Sequence, residues 1–189
     1  MRNTTSHWAL RIVLYSYALL AVFIWRPEHA AARPTQKYLA AEKQPEGARY
    51  FVDFHARGRS SFPGHVFIVY GQLNAHGRIV EAEVAGFTPD TNKYSIAFFI
   101  PVPGLLGQQR ADFTEPSTVI YRRHITDAQF RQLTAKIYQL RETQPAWHLI
   151  FANCNDFANE IAKSIGMLRA PNLLLPSIYV SVLRALNGA

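Results

Sequence analysis

Phe151-Ala152-Asn153-Cys154-Asn155-Asp156-Phe157 joins an apolar run, residues 147–151, to a helical stripe of Phe157, Ile161 and Ile165 that Gly166 closes. The run reads as a short strand. The stripe reads as a helix started by Asn153, whose side chain can accept hydrogen bonds from the orphan amides of a first turn. Cys154 then falls in that first turn, where unpaired N–H groups and the positive end of the helix dipole favour thiolate over thiol. A cysteine used for packing sits more often within an apolar stripe. The competing reading is a small residue filling the top of the core. The junction therefore predicts a reactive thiol of lowered pKa.

Upstream, Thr126-x-x-Gln129 is a capping box, followed by Phe130, Leu133, Ile137 and Leu140 at helical spacing and by Pro145 as a stop. Period-two patterns predict strands over residues 50–55, 65–70, 78–84 and 118–124. Residues 57–63 read as a loop, and Asn74-Ala75-His76-Gly77 as a turn. Residues 86–116 read as one short strand and otherwise loop. Downstream, Pro176-Ser177 opens a last helix running to about Leu186. Strands first, then a helix, a strand and two helices predict an α+β domain on an antiparallel sheet. No internal repeat is visible.

The chain has 189 residues, 49% of them hydrophobic and 17% charged, which suits one folded domain. Arg2 and Arg11 precede an apolar run, residues 12–25, and Ala30-Ala31-Ala32 follows. That layout predicts a secretory signal peptide over residues 1–32 and export to a periplasm or the medium. A retained anchor with the domain outside the cytoplasm is the alternative, giving membrane association through residues 12–25. Residues 33–48 read as a linker or a loosely packed short helix, and 49–189 as the domain. Removing residues 1–32 takes away three arginines and one glutamate. The 20 basic and 13 acidic residues of the chain become 17 and 12, or +5. This mild bias suits anionic surroundings. The basic residues are scattered, so no nucleic-acid-binding face is expected. No ligand-like spacing predicts a metal, and no Gly-rich loop after a strand predicts a nucleotide cofactor.

Cys154 is the single cysteine, which excludes an internal disulfide and leaves an inert, a bridging or a reactive thiol. A thiol nucleophile needs a base, usually a histidine brought close by the fold. His7 and His29 fall in the signal, leaving His55, His65, His76, His124 and His148. His65 follows Gly64 and heads an apolar strand, so its ring can project from a sheet edge.

Gly64-His65-Val66-Phe67-Ile68-Val69, then Ile79-Val80-Glu81-Ala82, then Asn153-Cys154-Asn155-x-Phe157 resemble the circularly permuted, papain-like NlpC/P60-type cysteine peptidases and amidases. In that group the histidine strand precedes the cysteine helix. The resemblance covers about residues 49–180. It implies a papain-like core and thiol chemistry on amide or ester bonds, with Cys154 as nucleophile and His65 as general base. It further implies Glu81 as the residue that orients the imidazole, and the Cys154 amide as oxyanion donor supported by Asn153 or Asn155. In a tight hairpin, however, His65 faces a position near residue 86, and Glu81 lies roughly 16 Å away. Glu81 then needs a bulge to shift the register, with Glu83 and His76 as rivals. A peptide, a peptidoglycan-type chain or a lipid ester are the substrates such a hydrolase or acyltransferase implies, and the residues do not choose between them. A catalytically inactive binding or accessory module of the same fold is the alternative.

Overall fold

The computed structural model describes residues 37–38, 49–58, 64–91, 94–143 and 145–188. The expected signal segment and the apolar run at 12–25 lie outside them. Seven strands form one sheet in the order β1-β6-β2-β3-β4-β5-β7 among the described residues. They are β1 (Lys37–Tyr38), β2 (Tyr50–Arg57), β3 (His65–Leu73), β4 (Ile79–Pro89), β5 (Val102–Gly107), β6 (Val119–Ile125) and β7 (Ala146–Trp147). Every neighbouring pair is antiparallel except β1–β6. The helices are α1 (Arg110–Thr114), α2 (Asp127–Thr143), α3 (Cys154–Ser164) and α4 (Pro176–Asn187). The α+β class and the antiparallel sheet with packed helices are therefore those that the sequence pattern predicts.

Alternation along β2 and β3 divides the sheet into two faces. Val52, Phe54, Ala56, Val66, Ile68 and Tyr70 are buried in the main core, where α3 packs on β3 and β4 and α4 packs on β2, β3 and β6. The opposite face carries Asp53, His55, Arg57, His65 and Phe67. The cap and stop signals are met. Thr126 N–H donates to Gln129 Oε1 at 3.0 Å and Gln129 N–H to Thr126 Oγ1 at 3.3 Å. Gly166 takes φ +81° while Met167 N–H returns to Ala162 O at 2.9 Å, a left-handed helix stop that only glycine adopts without strain. Pro176 stands at the start of α4.

Three segments differ from expectation. Lys37–Tyr38, inside the stretch read as linker, pairs with Val119 and Ile120. The irregular stretch holds the end of β4, a 3-10 turn at Tyr94–Phe98, β5 and α1. A five-residue helix is too short to show helical periodicity, and Gln109 before it is not a typical cap. The strand expected over 147–151 stops at Trp147. His148 and Ala152 then exchange backbone bonds of 2.9 and 3.0 Å around a tight turn, leaving Ile150 and Phe151 exposed.

Gly71 lies where β3 meets β4, opposite Ala82 and beside the register shift at Gln72/Leu73. A Cβ there would stand 2.0 Å from the Glu81 carbonyl oxygen and 2.8 Å from Ala82 Cα. Backbone cannot yield as a flexible side chain does. Gly71→Ala is therefore expected to destabilise the domain by about 3 kcal/mol or more, read as a lower urea midpoint. An unchanged midpoint would contradict the close β3–β4 approach.

Candidate active site

The N-terminus of α3 is held by reciprocal caps. Asn153 Oδ1 accepts from the amides of Asn155 at 2.8 Å and Asp156 at 3.3 Å. Asp156 Oδ2 accepts from Asn153 N–H at 3.0 Å. Asn153 Nδ2 also donates to Leu149 O at 2.7 Å, which ties the cap to the preceding turn. Asn155 donates twice, to Asn172 O and Leu174 O, both at 2.8 Å. Its Oδ1 lies 3.9 Å from Cys154 Sγ. The two asparagines thus build the junction as support. Asn155 has both amide hydrogens engaged, and the N–H of Cys154 belongs to the first turn of α3, beside the sulfur.

Cys154 and His65 line one cleft of about 630 Å³. The sulfur faces the amides of Val66, Cys154 and Asn155, and Val66 is the chain neighbour of His65, so α3 meets β3 at the start of that strand. These amides favour thiolate, yet burial outweighs them and pushes the thiol up to about 11. The lowered pKa expected of a helix-end cysteine is therefore not found in the resting cleft. Burial, helped by the Arg57 charge, likewise pulls the His65 imidazole down to about 3. Thiol and imidazole both rest neutral.

His65 stands on the sheet face bearing Arg57, close over Gly86, where an added Cβ would lie 2.7 Å from Nε2. Its Nε2 is buried without a hydrogen-bond partner and lies 4.0 Å from Asp112 Oδ1. Asp112, on α1, has a fully buried side chain. Its Oδ1 meets Arg57 at 3.1 Å and its Oδ2 accepts from Gln109 N–H at 2.9 Å. Arg57 is also bonded to Glu115 Oε2 at 3.2 Å and Gln109 Oε1 at 3.0 Å. Burial raises the Asp112 carboxyl above its ordinary range, against the pull of Gln109 and Arg57.

Glu81 is not brought to this site. Phe67 pairs with Gly86, which sets His65 level with Thr88, whereas Glu81 pairs with Gln72. That is seven positions along β3, roughly 23 Å, and the odd separation puts Glu81 on the other face. The irregularity at Gln72/Leu73 lies beyond the Glu81 pairing and leaves it unchanged. The rivals fare no better. Glu83 accepts from Tyr70 Oη at 2.7 Å, and His76 is exposed in its turn. Asp112 lies on α1, inside the stretch whose pattern reads as loop. Its one local signal is its spacing from Gln109, three residues ahead of it.

A second histidine has a triad-like setting. His55 Nδ1 is 2.9 Å from Ser117 Oγ, and its Nε2 is 3.8 Å from Asp53 Oδ2. Ser117 is buried and outside the cleft, and Asp53 is bound by Arg122 at 2.7 and 2.6 Å. The group holds β2 to β6. Among the described residues no group of three or more His, Cys, Asp or Glu side chains is placed to hold a metal ion, and no helix is long and apolar enough to cross a membrane.

No family model matches the sequence, and no curated protein matches it. Among solved structures, the crystal structure of the type VI secretion system effector TseH is similar at 10% identity. The match covers 76% of this chain and 91% of that one, with a TM-score of 0.48.

The resting pKa values set two pH responses. Iodoacetamide labelling of Cys154 should quicken about tenfold per pH unit through neutrality and level off only near pH 11. A plateau already at pH 7 would show a standing thiolate. The depressed His65 value means that the unfolded chain binds a proton between pH 6.5 and about 3 that the folded chain refuses. Stability should fall as pH drops through that window, and His65→Gln should flatten this limb of the Tm–pH curve.

Proposed function

We propose that this protein is an exported thiol hydrolase or acyltransferase of the permuted papain-like kind, with Cys154 as nucleophile and His65 as general base. The observation that carries the reading is the shared cleft, lined both by a first-turn cysteine on α3 and by a strand-opening histidine on β3. Asp112 is the positioning residue. Its Oδ1 and His65 Nε2 are two buried atoms without hydrogen bonds, 4.0 Å apart. Closing that gap by about 1 Å makes a bond, and such bonds commonly tighten only when substrate is present.

With its proton on Nε2 and directed at Asp112, the neutral ring keeps a lone pair on Nδ1. As Cys154 Sγ attacks the carbonyl carbon of an ester or amide, its proton passes to Nδ1. The carbonyl π pair moves onto oxygen, which the Cys154 N–H receives. Collapse of the tetrahedral adduct breaks the bond to the leaving oxygen or nitrogen, which takes the Nδ1 proton. A thioester remains on Cys154. Water, or an acceptor alcohol or amine, then gives its proton to His65 as it attacks the thioester carbon, and the thiol is regenerated. Because both groups rest neutral, the base acts during attack, and no standing ion pair is required.

Cys154→Ser and His65→Gln should each abolish hydrolysis of activated esters while leaving the circular dichroism spectrum unchanged. Asp112→Asn should lower kcat by about 10- to 100-fold with little change in KM, since an oriented ring acts in the transition state. Gly86→Ala, which crowds His65 Nε2, should reproduce that loss through misplacement. Ester hydrolysis that survives Cys154→Ser would overturn the thiol mechanism, and absence of any hydrolysis by the parent protein would favour a binding module.

A further inference from the structure

The thiol cleft has two kinds of wall, and they differ in what they can still bind. Most of its polar side chains are already committed. Asn155 Nδ2 is bonded to Asn172 O and Leu174 O, and Asn172 Nδ2 to Ile150 O and Asp156 Oδ1. Asn153 caps α3 and reaches Leu149 O. Arg57 is divided among Asp112, Glu115 and Gln109. A peptide or glycan would arrive with many donors and acceptors, and burying them against groups already bonded elsewhere leaves them unpaired.

The apolar walls are open. Phe87, Phe98, Trp147, Leu149, Leu173, Leu174 and Leu175 line the same cleft. Part of this lining reaches solvent: Phe98 is 37% exposed, Leu173 68% and Leu175 51%. A cleft lined by Cys154 and by apolar side chains that reach solvent, with most of its polar side chains paired internally, favours a chain carrying few polar groups of its own. On the basis of the thiol mechanism above, we propose that the acyl donor is an ester or thioester of an unbranched hydrocarbon chain of about eight carbons or more. Its carbonyl sits at Cys154 and the chain lies between Phe98 and Leu173.

The test uses the full-length protein and two independent readings. In the first, kcat/KM is measured for p-nitrophenyl acetate, butyrate, hexanoate and octanoate, each below its aggregation concentration. Full burial strengthens binding by up to about fourfold per methylene, so the octanoyl ester should exceed the acetyl ester at least 100-fold. Leu173→Asn and Phe98→Asn, at partly exposed positions where folding should survive, should together cut that ratio at least fivefold. In the second, binding of octanoate to the Cys154→Ala protein is followed by calorimetry beside acetate and an N-acetyl tripeptide amide. Only octanoate should bind.

Cys154-dependent hydrolysis that is indifferent to chain length, or tripeptide binding without octanoate binding, overturns the acyl-chain assignment and leaves the thiol mechanism standing. Octanoate binding with no hydrolysis of any ester supports the channel and counts against the mechanism. Fatty acid released from dioleoyl-phosphatidylglycerol vesicles would place the donor in a bilayer, and turnover of soluble esters alone would place it in solution. Either result supports the chain class.

Discussion

The reciprocal cap of Asn153 and Asp156 at the start of α3 fixes where the sulfur stands. A helix begins with amides that have no partner, and here two side chains and three backbone amides close that end on itself. Asn155 and Asn159 extend the same construction. The first holds the carbonyls of Asn172 and Leu174. The second grips both backbone groups of Ala170 and accepts from Tyr179 Oη. The segment after α3 is thereby folded back against the helix start and supplies the leucine wall of the cleft. Losing the cap would cost more than a turn of helix, because thiol, wall and turn share it.

Electrostatics at the site is a contest that burial wins. A helix end shifts a group favourably by about 1 kcal/mol, up to ~2 in sheltered geometry, whereas removing a charge from water costs several. Backbone amides face the sulfur and the thiol still rises to about 11. The same desolvation keeps His65 neutral, and Arg57 adds to it. A cleft built this way holds both groups neutral at rest. The buried His65 Nε2, without a hydrogen bond and 4.0 Å from Asp112 Oδ1, is the matching structural sign.

Register carries the remaining decision. In the pairing of β3 with β4, Phe67 stands opposite Gly86. Glycine at that level leaves the space that the His65 ring occupies. The same pairing places Glu81 on the far part of the strand and on the other face, and the carboxylate 4.0 Å from His65 comes instead from α1, more than forty residues beyond it in sequence.

What the sequence by itself determined was local: the strands at 50–55, 65–70 and 118–124, the Thr126–Gln129 box, the Gly166 stop and the Pro176 start. Each rests on a pattern only a few residues long, as do Asn153 as a cap and Cys154 in the first turn. The α+β class followed from their order, and His65 as the strand-opening histidine from its place beside Gly64. Tertiary structure alone decided that Asp112 and not Glu81 approaches His65, that the thiol is held neutral, and that the cleft has apolar walls. Those outcomes depend on strand register and on burial. Both are set by residues distant in the chain, so no local pattern records them.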